Sequence, residues 1–167
     1  QVMQGLEKIK ASGVQFIWQT GKFYIDEAKA AVRQAGELPM LYVTDFIADM
    51  ATAYRAADLV ISRAGAGSIS ELCLLEKPVI LVPSPNVAED HQTKNALALV
   101  NKDAALYVKD SEAADKLLDE AVKAVNQSET LKKLSTNIAK LAFRDSADVI
   151  AAEVYKLALN YKDKHER

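Results

Sequence analysis

Residues 58–71 read Asp-Leu-Val-Ile-Ser-Arg-Ala-Gly-Ala-Gly-Ser-Ile-Ser-Glu, and this stretch decides the fold. The apolar run at 59–61 predicts a buried strand, and Gly65 and Gly67 predict a loop whose backbone N–H groups can approach a ligand closely. Ser68 is a candidate N-cap for the following helix, whose first turn would present unpaired N–H groups and a positive dipole end. A helix start of this kind binds an anion, most often a phosphate.

Strands and helices alternate on both sides of this stretch. Apolar runs predict strands at 14–18, 40–43, 59–61, 78–82 and 104–108. Periodicity and capping patterns predict helices at 1–12, 23–32, 50–57, 68–75 and 87–101, and three more helices in the C-terminal third. The continuous apolar character of 78–82 indicates a strand buried on both faces. We therefore expect an α/β fold, a parallel sheet with helices on both faces, in one domain over residues 1–167.

The loops that follow these strands should meet at one edge of the sheet. They lie at 20–21, 44–47, 63–68 and 83–92. Ligands of open parallel sheets bind beyond the carboxyl ends of the strands. The sequence therefore predicts a binding site at this edge, which we call the rim.

Composition excludes several other classes of function. The chain has 167 residues, a net charge of −2 and no dense basic stripe, so nucleic acid is not an expected partner. Two histidines and one cysteine form no ligand cluster, and we expect neither a metal site nor a cofactor. Cys73 lies in an apolar helical stretch and is expected in the core. Because Gln1 is not an initiator methionine and helical periodicity begins at once, we expect a fragment of a longer protein.

Several rim residues have two interpretations. Glu71 could complete a capping box with Ser68, or its carboxylate could accept the two hydroxyls of a ribose. Asn86 and Glu89 could cap the helix at 87–101. The glycine loop could simply form a tight turn, because it matches neither the dinucleotide fingerprint nor a Walker loop.

The other polar and apolar rim residues also have two interpretations each. His91 and Gln92 could be an exposed first helical turn or hydrogen-bonding groups for a sugar. Phe46 and Ile47 could form a hydrophobic staple or a ledge for a nucleobase. The sequence does not identify a histidine and an aspartate that would act together with any of its serines as a nucleophilic set.

The order and spacing of these motifs resemble a known family. Similar motifs occur in the C-terminal half of the MurG-type N-acetylglucosaminyltransferases, the UDP-N-acetylglucosamine:N-acetylmuramyl-(pentapeptide) pyrophosphoryl-undecaprenol transferases. The stretches that carry the resemblance are 18–22, 46–50, 62–71, 78–83 and 89–96. Together they span nearly the whole chain.

The resemblance implies the C-terminal, Rossmann-like half of a two-domain GT-B enzyme. This half would bind UDP-N-acetylglucosamine, and an N-terminal domain absent from this chain would hold the lipid-linked acceptor. The full-length enzyme would transfer N-acetylglucosamine, with inversion, to the muramyl-peptide precursor of peptidoglycan. It would work at the cytoplasmic face of the plasma membrane, whereas the fragment would be soluble and inactive. The family's glycine-rich first strand would precede Gln1, so the first strand is expected to be missing.

The resemblance also assigns the nucleotide contacts of this donor site. Ile47 would offer its backbone to the uracil, with Phe46 beside it. The diphosphate would lie against Ala66, Gly67 and Ser68.

The ribose and the sugar receive separate assignments. By resemblance, Glu71 takes the ribose hydroxyls, and His91 and Gln92 contact the sugar. Met50 and Arg63 match motif positions and are carried as further substrate-binding residues. No catalytic residue is assigned, because the general base is expected on the missing domain.

Two other functions fit the same pattern. Half of a UDP-sugar epimerase would also bind UDP through a glycine loop and a helix-borne glutamate. A non-catalytic donor-binding subunit that docks on a membrane partner is the second alternative, but such a chain should carry its own glycine-rich first strand.

Overall fold

The structure is a computed structural model that describes residues 2–36, 38–86 and 90–165. A 3-10 turn at Val2–Gly5 leads into the first helix, and another at Asp110–Glu112 precedes α6. The helices are α1 Leu6–Ser12, α2 Ile25–Gln34, α3 Met50–Ala56, α4 Ala66–Leu74, α5 His91–Val100, α6 Ala113–Val125, α7 Ser128–Ala139 and α8 Ser146–His165. The strands are β1 Phe16–Gln19, β2 Leu41–Thr44, β3 Val60–Ser62, β4 Val79–Leu81 and β5 Leu106–Tyr107.

All strand pairs are parallel, and they form two groups. β1 pairs with β2, and β3, β4 and β5 pair in that order. The predicted parallel α/β architecture is confirmed. The strands therefore form two separate parallel sheets, one of two strands and one of three.

The three-stranded sheet is covered by helices on both faces. Successive residues of a strand point to opposite faces. Accordingly, Val79 and Leu81 pack into one apolar cluster with residues of α4, α5 and α7, and Ile80 packs into a second cluster with α6. All three β4 side chains are fully buried, which confirms the prediction for this strand.

The two-stranded sheet is covered on one face. Leu6 and Ile9 of α1 pack with Leu41 of β2 and with Leu118 of α6. Leu118 therefore joins the two halves of the molecule, because its neighbour Leu117 belongs to the cluster beneath the three-stranded sheet. A face of β1 and β2 remains open, since Ile17 is 49% exposed and Tyr42 is 64% exposed.

The predicted and observed boundaries of the core strands differ by at most two residues. The predicted helix at 87–101 is observed from His91, and residues 87–89, including Glu89 of the possible capping box, lie outside the described residues. Asp90 stands at the N-cap with φ 53° and makes no capping side-chain bond. Most large apolar side chains of α8 are exposed, yet none of the helices in the described ranges is long and apolar enough to span a membrane.

Candidate functional site

The start of α4 lies at the carboxyl end of β3 and is open to solvent. Its first intrahelical bond runs from the Ile69 N–H to the Gly65 carbonyl at 3.0 Å. The N–H groups of Ala66, Gly67 and Ser68 come before that bond and have no acceptor within the helix. Gly65 makes no side-chain cap, the first turn carries no acidic residue, and Ala66 and Gly67 are exposed. This turn therefore presents donors and a positive dipole end to whatever lies beyond the rim.

The predicted N-cap is wrong by one turn. Gly65 is the N-cap, so Ser68 is the third residue of the helix and Glu71 is the sixth. A capping box needs its acidic residue three positions after the cap, and Glu71 is six positions after Gly65. The capping interpretation of Glu71 is therefore excluded. Its side chain instead lies near the Tyr54 hydroxyl of α3, whose pKa it raises.

Tyr54 is partly buried against the core, and its titration reflects that position. Desolvation by burial is the main cause that raises the pKa of Tyr54, and the negative charge and hydrogen bond of Glu71 raise it further. The hydroxyl therefore remains protonated at neutral pH, and it lies near the exposed carboxylate of Glu71.

Gly67 has no structural requirement for glycine within the described protein. Its φ is not positive, and a Cβ at this position would meet no atom within 4 Å. Glycine inside a helix costs about 0.5–1 kcal/mol relative to alanine. A bare backbone at the helix start leaves room for a ligand to approach the N–H groups.

The peptide before α4 is held by side chains of α5. The Gln92 Oε1 accepts the Ala64 N–H at 3.2 Å and the Ser84 N–H at 2.9 Å. The Asn95 Nδ2 donates to the Ala64 carbonyl at 3.1 Å. Gln92 and Asn95 both lie in the stretch 89–96 that carries the family resemblance, but the sequence did not predict their bonds to the protein backbone. Their spacing of three residues places both amides on one helical face.

Arg63 is engaged with the protein itself. Its Nη1 donates to the carbonyls of Val82 at 3.1 Å and Pro83 at 3.2 Å, and it forms an ion pair with Asp110. These bonds tie the end of β3 to the end of β4 and to the turn after β5. An open depression of about 250 Å³ lies beside them, lined in part by Pro83, Tyr107 and Asp110.

The rim of the two-stranded sheet carries the other predicted residues. Phe46 is 66% exposed, and its carbonyl accepts the Thr44 hydroxyl at 3.0 Å. The Ile47 N–H donates to the Gln19 Oε1 at 2.9 Å, so a nucleobase would bind other backbone atoms or displace Gln19. Met50 begins α3, the helix that also carries Tyr54.

The structure brings some of these residues together. Ala66, Gly67 and Ser68 form the first turn of α4, which follows the clamped Ala64, and Tyr54 of α3 lies near Glu71. His91 is exposed at the start of α5, next to Gln92, and it has an interaction partner within the protein. Within the described ranges, no group of histidine, cysteine, aspartate and glutamate side chains could hold a metal ion.

Comparison with known proteins defines the class. Residues 1–150 match the family model described as the glycosyltransferase family 28 C-terminal domain, so the chain belongs to this family.

The curated relatives carry one name. A protein from Phocaeicola vulgatus is 77% identical over 166 residues, which cover 99% of this chain and 44% of that protein. A protein from Bacteroides thetaiotaomicron is 72% identical over 145 residues, 87% of this chain and 39% of that protein. Both are named UDP-N-acetylglucosamine--N-acetylmuramyl-(pentapeptide) pyrophosphoryl-undecaprenol N-acetylglucosamine transferase. The chain thus spans less than half the length of these relatives.

A solved structure agrees on the fold. The crystal structure of Acinetobacter baumannii MurG superposes with a TM-score of 0.76 at 24% identity, covering 93% of this chain and 48% of that one. The resemblance found in the sequence motifs is therefore confirmed at the level of the family and the fold.

Proposed function

We propose that this chain is the donor-binding domain of a glycosyltransferase that uses UDP-N-acetylglucosamine. In the full-length protein, N-acetylglucosamine would be transferred to a lipid-linked muramyl-peptide, as the names of the relatives indicate. Because that acceptor carries an undecaprenyl chain, the full-length protein would act at a membrane surface on the cytoplasmic side. The observation that carries the proposal is the open start of α4 at the rim, one helical turn from the carboxylate of Glu71.

The diphosphate fits the first turn of α4. The N–H groups of Ala66, Gly67 and Ser68 would donate to its oxygens, and the helix dipole favours its negative charge. The absence of a Cβ at Gly67 lets a phosphate oxygen come close to the backbone. In the transfer reaction the same donors would stabilise the charge that develops on the UDP leaving group.

The ribose fits Glu71. An ionised carboxylate has about four acceptor positions, and Glu71 is exposed on α4. These positions can accept two vicinal hydroxyls.

The base and the sugar lie at the two ends of this arrangement. Phe46, Ile47 and Met50 would flank the uracil on the rim of the two-stranded sheet. His91 would reach the sugar from the start of α5. Arg63 would act indirectly, by holding the loop at Val82 and Pro83.

Transfer needs a general base that removes a proton from the acceptor hydroxyl. By the family resemblance, that base would come from an N-terminal acceptor domain. We therefore expect this chain by itself to bind donor without catalysing transfer. Detection of turnover with donor and acceptor lipid would contradict this expectation.

The direct test is a titration with UDP-N-acetylglucosamine followed by NMR amide shifts, with ADP-glucose as the control ligand. We expect shifts at residues 47, 65–71 and 91–92 that are larger for the uridine sugar. An absence of shifts at millimolar donor would contradict the proposal.

A matched pair of variants sharpens that test. Glu71→Gln should weaken donor binding about 10- to 100-fold, because hydrogen bonds to a charged group contribute about 1.5–3 kcal/mol. Glu120→Gln removes the same charge from an exposed position on α6 and should leave the affinity unchanged. Equal effects of the two substitutions would show that Glu71 acts only through net charge.

A further inference from the structure

Gln19 lies at the carboxyl end of β1, on the open face of the two-stranded sheet. Successive residues of a strand point to opposite faces, so Gln19 shares its face with the half-exposed Ile17. Its side chain is exposed, and its Oε1 accepts the Ile47 N–H of the neighbouring loop at 2.9 Å. Because Ile47 offers a donor, only the carbonyl end of the amide can make this bond. In the free chain the Ile47 N–H therefore already has an acceptor.

Other hydrogen bonds hold the two loops of this rim together. The Thr20 N–H donates to the Thr44 carbonyl at 2.9 Å, and the Gly21 N–H donates to the Asp45 carbonyl at 3.1 Å. The Thr20 hydroxyl also donates to the Thr44 carbonyl, at 3.3 Å. None of these three bonds uses the Gln19 side chain, which can rotate into solvent while they stay in place. The bond that Gln19 makes can thus be exchanged without moving the rim.

The Gln19 carboxamide has the same hydrogen-bonding pattern as one edge of uracil. It carries a carbonyl acceptor beside an N–H donor, as the ring carbonyl and the adjacent ring N–H of uracil do. A uracil at this loop would accept the Ile47 N–H with its carbonyl, and that N–H is the group which Gln19 occupies. Two oxygens cannot both lie in line with one N–H at hydrogen-bond distance. The base and the Gln19 side chain therefore exclude each other at Ile47.

We propose that the Gln19 side chain is an internal competitor for the base of the donor, and that it must release Ile47 before the base binds. This inference rests on the proposed function, which places the base at Ile47. The apparent affinity for a ligand falls with the fraction of molecules in which its site is free. A hydrogen bond within a protein is weak in net terms, so the competitor lowers the affinity without preventing binding. The donor and UDP carry the same base, so Gln19 lowers both affinities by the same factor.

The test compares UDP with pyrophosphate, which lacks the base, in NMR titrations of wild type and Gln19→Ala. We expect UDP to bind about 2- to 10-fold more tightly to the variant, because a hydrogen bond is lost from the free chain only. The affinity for pyrophosphate should not change. The control Gln15→Ala removes an exposed glutamine just before the other end of β1 and should change neither affinity.

Hydrogen exchange of the Ile47 amide reports the release of Gln19 directly. In the free protein this exchange should be faster in Gln19→Ala than in wild type, because the acceptor has been removed. In the UDP complex the two proteins should exchange at the same rate, because the base has replaced the side chain. Gln19→Asn keeps an amide that is one methylene too short to reach Ile47. It should behave like the alanine variant and takes its place if that variant does not fold.

The direction of the change in UDP affinity decides between this role and others. Weaker binding of UDP to Gln19→Ala would show that Gln19 contacts the base or positions the loop, and it would overturn the proposal. An unchanged affinity would show that the base leaves Gln19 in place, and it would overturn the proposal as well. Either result in a wild-type protein that binds UDP contradicts this inference alone. If neither wild type nor the variants bind UDP, the proposed function fails and this inference fails with it.

Discussion

The two sheets differ in how completely they are buried. In the three-stranded sheet every side chain of β4 is fully buried between helices on both faces. In the two-stranded sheet Ile17 and Tyr42 are largely open to solvent. The proposed diphosphate and ribose contacts belong to the first half, and the proposed base contacts belong to the second. The charged part of the ligand would therefore be held by the more densely packed half.

We expect the rims of the two sheets to differ in local stability in the same direction as the sheets differ in burial. On the packed side, bonds from α5 and from the Arg63 side chain cross between elements that are distant in sequence. On the open side, the Gln19 side chain and the backbone N–H groups of Thr20 and Gly21 also bond across to residues 44–47, so both rims have long-range hydrogen bonds. The open side nevertheless buries less apolar surface, so local stability should be lower at the base end.

The largest effect on the free energy of unfolding should come from comparing an isoleucine-to-alanine substitution in each of the two sheets. Ile80→Ala removes a fully buried side chain and should lower the free energy of unfolding by about 2–5 kcal/mol. Ile17→Ala removes one that is half exposed and should cost about 1 kcal/mol. Urea denaturation monitored by circular dichroism measures both. Similar losses at the two positions would show that the open sheet is as well packed as the closed one.

Gly67→Ala should change stability and binding in opposite directions. Because the new methyl group meets no protein atom, the helix should gain about 0.5–1 kcal/mol from the alanine. The same methyl group should obstruct the diphosphate and weaken UDP binding. The two measurements are a melting curve and a UDP titration of one variant. Unchanged affinity for UDP would show that Gly67 does not contact the ligand.

A smaller effect on stability is expected when the N-cap of α3, at the rim of the two-stranded sheet, is removed. The Asp49 carboxylate accepts the Thr52 hydroxyl at 2.6 Å and the Thr52 N–H at 3.0 Å, and these bonds lower the pKa of Asp49. A lowered pKa means that the stabilisation is present above the unfolded-state pKa and is lost as the pH falls through the folded-state value. Asp49→Ala should therefore destabilise the chain at neutral pH.

Melting experiments over a range of pH provide the control for the charge of the Asp49 cap. The difference between wild type and Asp49→Ala should shrink in melting experiments below about pH 4. Asp49→Asn retains a capping oxygen and should lie between the two at pH 7. A gap between wild type and Asp49→Ala that is constant from pH 7 to pH 3 would contradict the electrostatic contribution.

The smallest expected effect concerns the contact between α3 and α4. Glu71→Gln removes the negative charge beside Tyr54 and should lower the pKa of Tyr54. The pKa should nevertheless stay above its ordinary value, because desolvation is the larger cause. A pH titration of the tyrosine ring carbons by NMR gives the value. A pKa that does not move would mean that Glu71 points away from Tyr54.

The sequence predicted the features that depend on local patterns. Apolar runs located the strands, the continuous run at 78–82 indicated burial on both faces, and Cys73 was placed correctly in the core. The helix start after Gly65 was placed too late, because Gly67 disfavours helix and the helix nevertheless includes it. Helix propensity is a weak preference that tertiary packing overrides.

The hydrogen bonds across the rim could not be predicted from local sequence patterns. Nothing in the spacing of residues 63–71 and 91–95 shows that Gln92 and Asn95 bond to Ala64, since the pairing depends on the order of β3 and β4 in the sheet. The engagement of Arg63 with Asp110 and of Ile47 with Gln19 depends equally on the folded geometry.

Helix α4 carries a chemical reporter of its own motion. Cys73 is the only cysteine of the chain, it is buried in the helix that begins at Gly65, and burial raises the pKa of its thiol. A thiol reagent can therefore react only during openings that expose the thiol and allow it to ionise. The labelling rate measures how often this helix separates from the core. Any ligand that binds the closed form should slow the labelling in proportion to its occupancy.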